Sequence, residues 1–257
     1  MRKPTSKEQM CAEIQTLSRR LLLSPDLSTV CLESGTPRQI EFVRDLLAGE
    51  VAHRDENKVN RLLKKAAFPC YKTFDDYETH RVIFPEGFTL DEISSGRFID
   101  EHLNLILYGP VGTGKTHMAV AAGIAACRRG LNVRFFTVAS LVRLLSLSAK
   151  NSRLDKLIRD LQKIDLLILD EWGYVPVDRE GARLLFQIVA DSYENKSVVV
   201  TTNLEFSRWG VVLADENMAA AMIDRLVHHG HLLAFEGQSY RVEHALMRRT
   251  AAAGSAS

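Results

Sequence analysis

The stretch GPVGTGKT, residues 109–116, combines bare backbone with one fixed cation. Gly109, Gly114, Lys115 and Thr116 stand at the defined positions of the phosphate-loop pattern GxxxxGK[ST], with Pro110, Val111, Gly112 and Thr113 between them. Such a loop wraps its amides around phosphate oxygens, and side chains would hold the backbone away; glycine removes that obstacle. The helix that opens near Lys115 aims the positive end of its dipole at the same phosphates. Lys115 is then expected to reach the β- and γ-phosphates and Thr116 to offer a hydroxyl oxygen to Mg²⁺, with His117 following in the first turn. A chance glycine turn beside an incidental lysine needs no strand before it and no helix after it. Here LNLILYG precedes the loop and HMAVAAG follows it.

Two further strand ends complete the chemistry. IDLLILDEWGY is an apolar run ending in Asp170 and Glu171. Asp170 is expected to hold the magnesium, and Glu171 to orient and deprotonate an attacking water. A simple phosphotransferase needs no second carboxylate, because its acceptor brings its own nucleophile, so Glu171 points to nucleotide hydrolysis. SVVVTTN ends in Asn203, whose amide suits either a hydrogen bond to that water or a turn.

The elements that must position these groups fall into two regions. Residues 1–72 read as a small helical domain. TPRQIEFVRDLLAGEVAHRDENKVNRLLKKAAFP has apolar residues at helical spacing, Thr36 as N-cap, Pro37 in the first turn and Pro69 as the stop. From residue 73 to 247, LNLILYG, NVRFFTV, DLLILDE, SVVVTTN and HLLAFEG are near-continuous apolar strands separated by helical runs. That alternation predicts a three-layer α/β sandwich around a five-stranded parallel sheet. The small, polar tail at 248–257 reads as disordered.

Composition is that of an ordinary globular chain, 46% hydrophobic and 25% charged with a formal net charge of +1, so a polyanion partner has to be argued from local charge. Residues 1–72 hold 13 Lys or Arg against 9 Asp or Glu. Lys58, Arg61, Lys64 and Lys65 cluster at the end of the long helical run. Lys150, Arg153, Lys156, Arg159 and Lys163 fall within KNSRLDKLIRDLQK, and the last four share one helical face. Each cluster alone is equally a solvated face. Cys11, Cys31, Cys70 and Cys127 form no CxxC pair, which argues against a disulfide framework or a structural metal. The N-terminus MRKPTSKEQM has no apolar signal core and no apolar run reaches membrane-spanning length, so no membrane association and a cytoplasmic location are expected.

GPVGTGKT, LLILDE and VVVTTN in this order resemble the Walker A, Walker B and sensor 1 elements of the AAA+ ATPases. NRLLKKAAFPCYKTFDDYE, DEWGY, and AMIDRLVHHG followed by GQSYR are similar to the IstB-like proteins, ATP-binding helpers of an insertion-sequence transposon family, and more loosely to the helicase loader DnaC. The resemblance spans about residues 37–247. It implies ATP and Mg²⁺ as cofactors, assembly into a ring or helical filament, and an arginine from the neighbouring subunit completing each site. The matching position is Arg225. Arg241 resembles a sensor 2 arginine, although the family lacks the helical lid that usually carries it. Phe74 and Tyr77 fall near the expected adenine edge and are equally readable as core aromatics. In the helicase-loader and initiator branch an extra helical element stands where the second basic cluster lies, so both clusters become candidate contacts to double-stranded DNA.

The function expected is therefore ATP-dependent remodelling of duplex DNA, with recruitment or activation of a transposase. A helicase loader is the alternative within the fold, but the second basic cluster has no aromatic residues to stack single-stranded bases. A small-molecule kinase is the alternative of another class, and Glu171 counts against it.

Overall fold

Strands buried on both faces alternate their side chains between two separate cores, and this alternation organises the larger part of the chain. The computed structural model describes residues 6–240 apart from Asp76, Val175 and Pro176. Arg241 and the tail at 248–257 lie outside the described residues. The chain divides into two compact units, residues 1–61 and 62–257, with the division inside one long helix.

The first unit contains α1 (Lys7–Leu21), α2 (Leu27–Ser34) and most of α3 (Pro37–Ala66). A capping box starts α1: the Gln9 amide donates to the Ser6 hydroxyl at 3.2 Å, and the Gln9 side chain accepts from the Ser6 amide at 3.1 Å. Leu22, in the left-handed region, ends it. Thr36 marks the start of α3, where its amide and hydroxyl both donate to Gln39. Met10, Ile14, Leu21, Ile40, Leu47 and Val51 make the small core of this unit.

In the second unit the sheet order is β1-β6-β2-β5-β4-β3. Five strands are parallel: β2 (Asn104–Tyr108), β3 (Val133–Thr137), β4 (Leu166–Trp172), β5 (Ser197–Thr202) and β6 (Gly230–Phe235). The expected sheet of five gains a sixth member, β1 (Val82–Ile83), which runs antiparallel along β6. Two residues are too few to show any periodicity in the sequence.

Leu105, Leu107, Leu166, Ile168 and Val199 face one core, together with α6 (Lys115–Arg128) and the short helices α4 (Leu90–Ser95) and α5 (Arg97–Asp100). Ile106, Leu167, Leu169, Val198 and Val200 face the other. There they meet α7 (Val138–Lys150), α8 (Leu154–Gln162), α9 (Arg179–Ser192), α10 (Trp209–Leu213) and α11 (Glu216–His228). Helices therefore cover the sheet on both sides, in three layers. α6 is buried nearly all round. A Cβ at Gly123 would lie 2.6 Å from Phe68 and 2.8 Å from Ile168, so only glycine lets this helix lie so close to the sheet.

One buried side chain joins three of these elements at the N-terminal edge of the sheet. The Asn104 carboxamide accepts from the Val198 amide at 2.9 Å and donates to the Leu226 carbonyl at 3.3 Å, tying β2 to β5 and to the end of α11. The opposite edge, at the carboxyl ends of β2, β4 and β5, is left for chemistry. Because β2 connects to β3 across two intervening positions and the chain then returns through β4 and β5, this edge is the topological switch point where open α/β sheets bind ligands. Among the described residues no helix is long and apolar enough to cross a membrane.

Candidate nucleotide site

The loop 109–114 leaves β2 and enters α6 with Gly109, Gly112 and Gly114 all at positive φ (150°, 82° and 100°). A Cβ at Gly109 would stand 2.2 Å from the Phe235 carbonyl oxygen on β6. Gly109→Ala is accordingly expected to lower unfolding stability by more than about 2 kcal/mol, read as a fall in the urea midpoint at constant m-value. Inside the loop, the Lys115 ammonium donates to the carbonyls of Gly109 (2.7 Å) and Pro110 (2.6 Å), and the Thr113 hydroxyl donates to Pro110 at 2.8 Å. The lysine is thus held at the mouth of the loop, where a phosphate would compete for it.

The neighbouring strand end carries the acidic pair on a bulge. Leu169 pairs with Val200 and Trp172 with Thr202, so Asp170 and Glu171 together oppose the single residue Thr201. In an unbroken strand two successive side chains point to opposite faces; the extra residue re-aims them. Asp170 turns inward, 4% exposed, and accepts from the Thr116 hydroxyl at 3.0 Å and from the Thr201 hydroxyl. Glu171 turns outward to the cavity with φ +61°, and its amide donates to Thr201 at 3.1 Å. A non-glycine residue in that region costs about 1–2 kcal/mol, which the hydrogen bonds around Thr201 help to hold.

These groups open onto a cavity of about 630 Å³, lined by Val111, Gly112, Thr113, Gly114, Lys115, Thr116 and His117 of the loop and by Glu171, Thr201 and Asn203 at the strand ends. Its far wall is made by residues 70–73, Tyr77, Glu78, His80 and Arg81, with Tyr240. That wall is fastened to the loop. His117 Nε2 lies 2.9 Å from the Thr73 carbonyl, the bond of an Nε2–H tautomer, and the Tyr77 ring meets His117 edge-on at 4.9 Å. The Tyr77 hydroxyl sits 3.5 Å from the Gly114 carbonyl, and burial pushes its pKa well above the usual tyrosine range, so it remains a donor. The Tyr240 amide donates to the Gly112 carbonyl at 3.0 Å, and Arg81 donates to Gln238 at 3.0 Å.

The residues present fit a magnesium nucleotide. The glycine curve has room that a Cβ would fill, the cation is at its mouth, and the adjacent donors of Thr116 and Asp170 are all oxygen, the set that magnesium prefers. Among the described residues no cluster of three or more His, Cys, Asp or Glu could hold a metal ion.

The structure brings Lys115, Thr116, Asp170, Glu171 and Asn203 together across 88 positions of chain. Gly109 and Pro110 contribute carbonyls to Lys115 instead of lining the cavity. Tyr77 lines it, whereas Phe74 packs into the core beneath. Arg225 does not line it: on α11 its guanidinium lies 5.2 Å over the Phe186 ring and donates to the Ala221 carbonyl at 2.8 Å. The nine residues of the two basic clusters are all exposed. Lys58, Arg61, Lys64 and Lys65 lie along α3. Lys150 ends α7, and a turn through Asn151 and Ser152 separates it from α8. On α8, Lys156 and Arg159 fall opposite the stripe of Leu154, Leu157, Ile158 and Leu161 that packs on the core, while Arg153 and Lys163 are its N-cap and C-cap and lie just outside the helix. Reading by motif missed Thr201, Arg81, Tyr174 and Tyr240; for Thr201 the signal was present in VVVTTN, two positions before Asn203.

A phosphate loop on β2, an acidic strand end on the bulged β4 and a polar strand end on β5 between them define a P-loop fold of the AAA+ type. The solved structures agree on the fold. The DnaC helicase loader superposes with a TM-score of 0.50 at 22% identity, over 64% of this chain and 96% of that one. AMPPCP-bound DnaA from Aquifex aeolicus gives 0.53 at 20% identity, over 66% and 51%. The sequence relationship is narrower: the family of IstB-like ATP binding proteins matches residues 26–248, and the chain belongs to that family. A protein of Geobacillus stearothermophilus named as the ATP-binding protein of insertion sequence IS5376 is 34% identical, covering 79% of this chain and 80% of the relative. One from Bacillus thuringiensis subsp. berliner, named for IS232, is 36% identical over 79% and 82%.

Proposed function

We propose that this protein is a Mg²⁺-dependent ATPase that assembles on double-stranded DNA, remodels it and recruits or activates a transposase. The observation that carries the catalytic part is the bulge at Asp170 and Glu171, which sets one carboxylate beside the Thr116 hydroxyl and the other in the cavity that Asn203 also lines. Lys115 and the loop amides bind the phosphates, while Thr116 and Asp170 hold the metal. When bound, Mg²⁺ would supply neutralisation of the charge that develops on the phosphates. Glu171 accepts the proton of the attacking water and Asn203 aligns that water. Arg225 acts on the site of a neighbouring copy, in keeping with its absence from the lining of its own cavity. Arg241 is proposed as a further nucleotide contact from the family pattern.

The DNA and transposase parts are supported by relatives named for insertion sequences and by the exposed basic faces of α3 and α8. The helical residues 1–72 are proposed as the DNA- and partner-binding domain and residues 73–247 as the ATPase. The test is sedimentation of the full chain with duplex or single-stranded DNA, in ATP–Mg²⁺ or ADP. Large complexes that need both ATP and duplex are expected; assembly only on single strands would move the assignment to a helicase loader, and indifference to DNA would remove it. Replacing Lys156, Arg159 and Lys163 by Ala is expected to weaken duplex binding and flatten the slope of log affinity against log salt by roughly one unit per charge, with ATP binding unchanged.

A further inference from the structure

Trp172 and Trp209 are the chain's two tryptophans, and both are buried behind the strand ends that carry Glu171 and Asn203. Their rings stack with centroids 4.4 Å apart, and Phe206 meets Trp209 edge-on at 5.4 Å. The stack anchors the turn after β5. The Trp209 indole N–H donates to the Leu204 carbonyl at 3.3 Å. On the other side of Asn203, the Thr202 hydroxyl donates to the Trp172 carbonyl at 3.0 Å and accepts from the Leu204 amide at 2.9 Å. Asn203 itself is exposed to the cavity, and none of the hydrogen bonds described holds its side chain. Its aim therefore depends on the backbone on either side. The Thr202 side is fixed by the sheet, whereas the Leu204 carbonyl is held from the second core by the indole at 3.3 Å, its other donor being the Thr202 hydroxyl at 3.4 Å, whose single proton is shared with the closer Trp172 carbonyl.

We propose that Trp209 is a positioning residue for Asn203: its N–H fixes the Leu204 carbonyl and thereby the direction in which the Asn203 amide meets the water beside Glu171. The inference rests on the hydrolysis reading above. Trp209 touches neither nucleotide nor water, so its effect is confined to a step in which Asn203 takes part. A misplacement near 1 Å in a group that orients a reactant costs up to about a hundredfold in rate.

The experiment compares steady-state ATP hydrolysis by the parent protein, W209F, N203A and the double variant, with ATP binding and thermal melting measured on each. Phenylalanine can still stack on Trp172 but has no N–H for Leu204. W209F is expected to melt within a few degrees of the parent and keep KM, and to lose about tenfold or more in kcat. In the N203A background the same change is expected to cost nothing further, because both act through one amide. An unchanged kcat, a loss carried by KM, or a loss that multiplies with that of N203A would overturn the proposal. Installing 3-benzothienylalanine at position 209 keeps the bicyclic shape while removing the donor, so the measurement stands even if the phenylalanine variant folds poorly. A parent protein without ATP turnover defeats the hydrolysis reading itself; a parent that turns over alongside an undiminished W209F defeats this inference alone.

Discussion

Glu171→Gln is expected to leave ATP binding intact and to lower kcat by about 10²–10⁴, the usual worth of a positioned general base. The carboxylate faces the cavity on the outer side of the bulge, while Asp170, Thr116 and the loop are bonded to one another on the inner side. Glutamine has the same length and can still orient a water, but it cannot take its proton. The backbone demand is also unchanged: glutamine meets the same left-handed φ of +61° and keeps the amide that donates to Thr201. Loss of turnover with normal melting and normal binding of a fluorescent ATP analogue therefore isolates the base. On the DNA reading the same variant is expected to remain assembled on duplex in ATP, since it binds the nucleotide and cannot discharge it. Hydrolysis at the parent rate would show that the proton leaves by another route and would remove Glu171 from the mechanism.

Asp170→Asn in the same assay separates the two carboxylates. Asp170 accepts from two hydroxyls and is almost fully enclosed. An amide there offers one acceptor oxygen in place of two and brings its own N–H donors, so the defect falls on magnesium affinity and on stability together.

The parts of the site that could be read in the sequence are those whose geometry follows from neighbouring residues. The phosphate loop is one continuous run between a strand and a helix, and the apolar runs that end in Asp170 and Asn203 show their ends directly. The bulge is different. DE at a strand end does not reveal that both residues oppose Thr201, because pairing between β4 and β5 is set by residues some thirty positions apart. The wall of the cavity was hidden for the same reason. Arg81 and Tyr240 lie far apart in the chain; the Tyr240 amide meets the loop at Gly112 and the Arg81 side chain holds the Gln238 carbonyl two residues before it, contacts which no composition or period records. The edge strand β1 takes its identity from β6 and not from its own two residues. Arg225 had no local signature at all, since an arginine at helical spacing is ordinary; only the family resemblance singled it out.

Arg225→Ala is expected to spare nucleotide binding by isolated subunits and to lower turnover in the assembled state by about 10³-fold or more, as loss of an arginine finger does. That is about 4 kcal/mol of transition-state stabilisation. Where Arg225 lies makes the test decisive. It is half-buried on α11, its guanidinium resting on Phe186 and donating to Ala221, so it is held before any partner arrives and little ordering remains to be done on assembly. A residue acting on the neighbour can be supplied by a subunit whose own site is dead. Lys115→Ala removes the cation at the loop but keeps Arg225, whereas Arg225→Ala keeps the loop and offers no arginine. Each alone is expected to be inactive. Mixed in equal amounts in a head-to-tail assembly, about a quarter of the interfaces pair an intact loop with an intact arginine, so turnover returns to roughly that fraction. If Arg225 served only to pack α11 against α9, the variant would instead lower the melting temperature, and mixing would restore nothing.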